Sequence, residues 1–401
     1  MDLGLFRAGI ESEFGPECLV RVDPRIQAIV ERSVTSLWSD LPPWVGDVDM
    51  PGVLAVHTGE LFPHVRTRGT RSVIVFDDSL RILCRSLTRA VVNGVGAEPR
   101  ALVAAIFAQR LIHHGFLVES AAVAQLIAAE RGTATPPTMG ADDDHSLLDR
   151  LVQGQIVFIA AHEAFHAVLR TSEAAQLLRH VVSYDIALYL SGPLVQPQPP
   201  GIVAAHVWEI LTVIDVLGAA PSLYGNRDEK VQSVVDALDD PVLREELVCD
   251  LYGAIATHKL LTRSGTSERI AVAASVMALV NLTGLRYLER HAASEPARAT
   301  RILRDLSIRL EALIGALIVR ATEGAIERGK NANEIVALLL ENVAMALRWY
   351  SPLNHAMMRH DWSTVPDRWL GESEARRAAA VRLSSDLASL RATFAWATDG
   401  G

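Results

Sequence analysis

The sequence predicts a mainly α protein with a small N-terminal β-sheet, an α+β chain dominated by its helices. Three observations predict this. Half of the 401 residues are hydrophobic and few are aromatic, a balance that favours helix-rich globular packing when Ala, Leu, Val and Arg are abundant. Apolar residues recur at helical spacing through most of the chain after the first quarter. Only between Gly52 and Phe76 does the period change, into short β-branched runs broken by Gly, Pro and Thr.

Taken in order, residues 1–50 hold a short helix over 24–38 among loops ending in SDLPPWVGDVDMPG. VLAVHTG, FPHVRTR and RSVIVF are then read as three strands, the last ending at Phe76. Asp77, Asp78 and Ser79 form a turn, and any of them suits the cap of the helix that begins with LRILCRSL. That helical pattern covers 83–92, and another covers 99–131. His113 and His114, in RLIHHGFL, have no acidic or histidine partner four residues on and are read as a helix-end pair. GTATPPTMGADDD, 132–144, is a polar loop. Asp144 or Ser146 can cap the helix that follows, with Asp149 in its first turns where the helix dipole favours it.

Beyond it come a helix over 171–191, the loop GPLVQPQPPG, and a helix over 202–217 carrying His206 and Glu209. That pair is read as a buried polar contact or a wall of the site. APSLYGNRDEK is another loop, and Asp240 followed by Pro241 is a good cap and first position for a helix running to about Arg263. The remainder reads as helix over 267–291, 296–328, 332–350 and 373–396, with the loop SPLNHAMMRHDWSTVPDRW before the last. Three regions follow: 1–140 with the small sheet, 141–265 with the candidate site, and a helical 266–401.

Composition also excludes. A net charge of −9 and a pI near 5.8, with no basic patch, argue against a nucleic-acid or anionic-membrane partner. Cys18, Cys84 and Cys249 are odd in number and far apart, which suits a reducing cytoplasm better than a disulfide framework. The start, MDLGLFRAGIESEFGPE, shows no basic and apolar leader pattern. The stretch 270–288 approaches membrane-spanning length, but Asn281, Thr283 and Arg286 interrupt it, so a buried central helix is expected.

The chemistry concentrates in IVFIAAHEAFHAVLR, 156–170. His162, Glu163 and His166 form H-E-x-x-H inside an apolar helix; random placement gives roughly 0.05 such matches in a chain of this composition, counting Asp as well as Glu. At four-residue spacing the two histidines fall about 40° apart around a helix, so both rings reach one ion. Neutral imidazoles as ligands, with a carboxylate beside them as general base, make a zinc-hydrolase arrangement. A catalytic zinc needs a third ligand. REELVCDLYGA supplies Glu246 and Asp250, four apart on one face beside Leu243, Leu247, Leu251 and Ala254. Zn²⁺ on Glu246, with Asp250 taking the second N–H of a ligand histidine, removes the cost of burying both carboxylates.

His162-Glu163-Ala164-Phe165-His166 followed by Glu246-Leu247-Val248-Cys249-Asp250 resembles the H-E-x-x-H…E-x-x-x-D signature of gluzincin-type zinc metallopeptidases. The resemblance covers roughly 147–260. It implies a zincin-like helical catalytic core, His162, His166 and Glu246 as ligands, Glu163 as the base, Asp250 as supporting group, and a peptide or protein as substrate. The 79 residues between His166 and Glu246 exceed the spacing in thermolysin-like members, though other branches carry insertions there. Glu245 competes as ligand, but Cys249 stands four residues on, where the supporting Asp belongs. The same resemblance offers 72–76 as an edge strand for pairing with an extended substrate. For the oxyanion donor, the loop with Tyr350, His355, Arg359 and His360 is the richest downstream source; His355 and Arg359, four apart, are the first choices. The loops at 192–201 and 219–230 are candidates for a lid.

Two other functions compete. Glu163 to His166 is also E-x-x-H, which helical di-iron carboxylate oxygenases use, but Glu289 with His291 fails as a second copy, and His206 with Glu209 has the right spacing in reversed order. The third reading is a non-enzymatic helical scaffold whose metal motif is accidental or vestigial.

Overall fold

The computed structural model describes residues 3–124, 145–176 and 236–293, each with short breaks, and scattered positions between 295 and 346. Its elements are α1 (Gly4–Phe14), α2 (Glu17–Val20), α3 (Pro24–Ser39), β1 (Gly52–Val56), β2 (His64–Arg68), β3 (Arg71–Asp77), α4 (Ser79–Val92), α5 (Glu98–His113), α6 (His145–Thr171), α7 (Pro241–Arg263) and α8 (Glu268–Ala292). Among the described residues the fold is mainly helical with a small sheet near the N-terminus, as the composition and the switch of period require. The helices expected over 202–217 and 373–396, His206, Glu209, the two candidate lid loops and most of 171–191 lie outside the described residues.

The sheet has the order β1-β3-β2. β1 runs parallel to β3, from Gly52 opposite Val73 to Val56 opposite Asp77, and β2 runs antiparallel, with Val65 opposite Ile74. The segment 72–76 is therefore the central strand and not an edge; its run of Val, Ile and Phe is the mark of a strand covered on both faces. Alternation sorts its side chains. Val73 and Val75 face Ile10 and Cys18, while Ile74 and Phe76 enter the main core. The outer edge of β1 is occupied. The Gln27 side chain donates from Nε2 to Val53 O at 3.0 Å and accepts from Ala55 N at 2.7 Å, pairing with β1 as a strand would.

The first 50 residues hold two more helices than the one expected. Gly4 and Gly9 lower the intrinsic propensity of α1. Packing overrides this: Ile10 is fully buried against the outer face of the sheet, with Phe6 and Phe14 one turn to either side. The single helix expected over 99–131 ends instead at His113. Gly115 takes φ +80, and Phe116 N–H donates back to Leu111 O at 2.8 Å, a left-handed stop that glycine allows without strain. His114, just past that end, reaches Glu289 Oε1 at 2.6 Å, a partner far away in sequence.

α6 is the hub, flanked by α3, α4, α7, α8 and the sheet. Two glycines let its neighbours approach. A Cβ on Gly154 would meet Ala274 Cβ at 2.5 Å and Leu261 Cδ1 at 2.9 Å; one on Gly253 of α7 would meet the Phe158 carbonyl oxygen at 3.1 Å. Buried hydrogen bonds fix the rotation of α6: Gln155 donates to Thr88 Oγ1 on α4 and accepts from Asn281 Nδ2 on α8, each at 2.7 Å. Asn281, which interrupts the apolar pattern of α8 in sequence, is thus a specific anchor. α8 is long and apolar enough to cross a membrane, and its side chains are buried inside this fold. Gly154→Ala should lower unfolding stability by about 1–3 kcal/mol, since overpacking pushes helices apart. Urea denaturation measures this; an unchanged midpoint would show that the α6–α8 approach tolerates a methyl group.

α7 begins as the sequence requires. Asp240 is the N-cap and accepts from Val242 N–H at 2.9 Å, with Pro241 at the first helical position.

Candidate metal centre

α6 and α7 pack side by side, and their close approach brings His162 and His166 against Glu246. The two imidazoles stand one turn apart with rings at 77°, and their Nε2 atoms face each other at 3.1 Å. Glu246 closes the triangle: Oε2 lies 3.5 Å from His162 Nε2 and Oε1 lies 3.7 Å from His166 Nε2. Donors about 2.0–2.2 Å from a tetrahedral ion are about 3.3–3.6 Å apart. The three groups therefore fit one zinc-sized ion in number, type and spacing.

Each histidine is backed by its own carboxylate. His166 Nδ1 is 2.8 Å from Glu245 Oε1. His162 Nδ1 is 3.0 Å from Asp250 Oδ1, yet off the axis of a directed N–H bond, so the contact is ionic pairing rather than an aligned hydrogen bond. Such carboxylate–histidine pairs orient the ring and leave Nε2 for a ligand role. Glu245, one position around α7 from Glu246, thus meets the far nitrogen of His166.

Arg309 was not among the residues the sequence singled out. Its Nε and Nη2 grip the Asp250 carboxylate at 2.7 and 2.8 Å, and Nη2 also reaches Glu246 Oε2 at 2.9 Å. Arg286 of α8 approaches the same oxygen at 3.5 Å. An arginine inside an apolar helical run was the signal that both shared. The electrostatics follow. Burial would raise the Glu246 carboxyl, but Arg286, Arg309 and His162 hold it well below the usual range. Asp250 is lowered against its burial by Arg309 and His162. Burial pushes the His162 imidazole down, and its contacts with Asp250 and Glu246 outweigh this, raising it to about 9. A proton on His162 or a cation between the rings answers the same negative field.

Glu163 is buried, 4 % exposed. Among the described residues no ion pair or hydrogen bond ties it down, which leaves its carboxylate free for a proton-transfer role. His355 and Arg359, the oxyanion donors suggested by sequence, lie outside the described residues.

A second His/Asp group, His57 with Asp77 and Asp78, sits at the C-terminal ends of β1 and β3. Its oxygens already serve structure. Asp77 accepts from Ser79 N–H at 2.9 Å and from the Thr58 hydroxyl. Asp78 takes Asp23 N–H at 3.1 Å and His57 Nδ1 at 2.6 Å. Backbone N–H groups aimed at these carboxylates oppose a cation, and the group is a strand-to-helix corner.

The chain matches no protein-family model, and no curated protein or solved structure matches it.

Proposed function

We propose that this protein is a zinc-dependent metallopeptidase of gluzincin type, working on a peptide or protein substrate in the cytoplasm. One observation carries the reading: the Nε2 atoms of His162 and His166 and the Glu246 carboxylate, drawn from two helices, stand 3.1–3.7 Å apart, and Glu163, next in sequence to His162, is buried. His162, His166 and Glu246 would hold the ion, and Asp250 and Glu245 would keep the rings in place. Zinc bound there would supply a Lewis acid that polarises a carbonyl and acidifies water.

The chain's own groups do the rest. Glu163 accepts a proton from water as the water oxygen bonds to the carbonyl carbon, and returns it to the departing amine nitrogen as the C–N bond breaks. Arg309, held by Asp250, keeps Glu246 ionised and aimed. The apolar walls of α6, with Phe158 and Phe165 fully buried, keep bulk water from the rear of the site, which strengthens each charge interaction within it.

A second reading has a specific observation behind it: with His162 protonated, the same groups form a closed ion-pair cluster that needs no metal. In that case the protein is a helical scaffold. A di-iron oxygenase draws less support, because the donor triangle described here suits one ion. Elemental analysis separates the three. The peptidase reading expects one zinc per chain after metal-replete purification, lost in His162→Ala and Glu246→Ala. Two irons would promote the oxygenase, and metal-free protein would leave the ion-pair cluster.

A further inference from the structure

From Ala271 through Leu288 every residue of α8 is buried except one, and that one is Arg286. An apolar helix surfaces at a single cation, and it does so at the metal centre. The exposure of side chains around the centre gives a direction. Asp250, His162 and Arg309 are 1 %, 2 % and 7 % exposed, whereas Glu246, Glu245 and Arg286 reach 14 %, 19 % and 37 %. The deep side is closed and the accessible side is rimmed by Glu245, Glu246 and Arg286.

The two arginines at Glu246 are not equivalent. Arg309 is consumed: three of its contacts, at 2.7–2.9 Å, go to Asp250 and Glu246. Among the described residues Arg286 makes one long contact, 3.5 Å from Nη1 to Glu246 Oε2, and a guanidinium has five N–H donors. The oxygen it touches is itself 3.5 Å from His162 Nε2. Charge agrees with this placement. On the accessible rim the formal count of Glu245 and Glu246 against Arg286 is −1, so Arg286 is the rim group able to meet an anion.

We infer that Arg286 is the anion-receiving group of this site, the donor that takes the carbonyl oxygen as water adds and the C=O electron pair moves onto that oxygen. This rests on the peptidase reading. It gives to a residue of α8 the role that sequence offered to His355 and Arg359. An arginine suits it: the guanidinium stays charged throughout and presents parallel N–H groups to an oxyanion.

The test uses the full chain loaded with metal, as wild type, Arg286→Gln and Arg286→Lys. Hydrolysis of a quenched fluorescent peptide library should show kcat down about 10²-fold in the Gln variant with KM little changed, and partial recovery with Lys. Inorganic phosphate, a tetrahedral oxyanion, should perturb the visible spectrum of the cobalt-loaded wild type and bind the Gln variant about tenfold more weakly. Arg309, which keeps its 2.9 Å contact with Glu246, should hold metal content and Tm close to wild type in both variants. Equal phosphate affinity in wild type and Arg286→Gln would overturn the inference whether or not peptides are cleaved. Loss of metal from Arg286→Gln would also overturn it, making Arg286 a brace for Glu246. A wild-type chain that takes up no metal would instead fell the peptidase reading, and this inference with it.

Discussion

Glu163→Gln should lower peptide hydrolysis by about 10²–10⁴-fold, the range a positioned general base contributes, while zinc content stays at the wild-type level. The amide has the shape of the carboxylate and cannot accept the proton. His162, His166 and Glu246 are untouched, so the ion should remain. Because Glu163 is 4 % exposed and has no ion pair or hydrogen bond among the described residues, replacing its carboxylate with a neutral group of the same shape should leave stability equal or raised. Digestion of a peptide library by both proteins, beside their zinc contents, checks this. Equal digestion would remove Glu163 from the chemistry; lost digestion with lost zinc would mean that the carboxylate holds the site together rather than moving protons.

The largest effect on folding belongs to Arg309. Arg309→Met should cost about 3–5 kcal/mol of unfolding free energy, because removing one partner of a buried ion pair leaves the other charge uncompensated. Here two carboxylates are left, Asp250 and Glu246. The methionine fills much of the same apolar volume, so the loss measures charge and not packing. Adding Asp250→Asn to Arg309→Met should recover part of the loss, since the coupling between contacting groups is read from such a cycle. Arg309→Lys should fall between, keeping the charge without the fork that spans both Asp250 oxygens. Urea titrations of these four proteins and of Asp250→Asn alone, at one metal concentration, give the numbers. A change under about 1 kcal/mol in Arg309→Met would show that water or His162 already compensates the carboxylates.

How far the sequence exposes this site depends on how local each interaction is. The H-E-x-x-H spacing, the Glu246–Asp250 spacing and the Asp240–Pro241 helix start all lie within two turns of one helix, and the structure has each where the spacing places it. The triangle among His162, His166 and Glu246 needed only the further step that two apolar helices pack. The partners of Arg309 were invisible because Asp250 lies 59 residues away, and no short pattern encodes a contact set by tertiary packing. The pairing of Glu245 with His166 was hidden for a related reason. Helical periodicity says which face a side chain occupies, but which histidine nitrogen it meets depends on how α7 is rotated against α6, and Gly154 and Gly253 set that closeness. The helix break at Gly115 was legible, since glycine after a histidine pair is an ordinary stop signal, and the apolar run on either side masked it. α1 was hidden behind its glycines, although Phe6, Ile10 and Phe14 recur every four residues.

The side-chain pairing of Gln27 with β1 bears on what the margins of the sheet can pair with. Residues 52–56, GVLAV, are apolar, uncharged and β-prone, the kind of segment that recruits a copy of itself when its edge is bare. A single amide from α3 supplies one donor and one acceptor at the spacing a neighbouring strand would use, so the sheet stops growing on that side without a further strand. The other side ends in β2, where charged Arg66 and Arg68 alternate along the strand and Arg170 takes the Val65 carbonyl at 3.1 Å. A three-stranded sheet is thereby closed to self-templating at one margin by a borrowed amide and at the other by positive charge, so the parallel pairing of β1 with β3 can stay small.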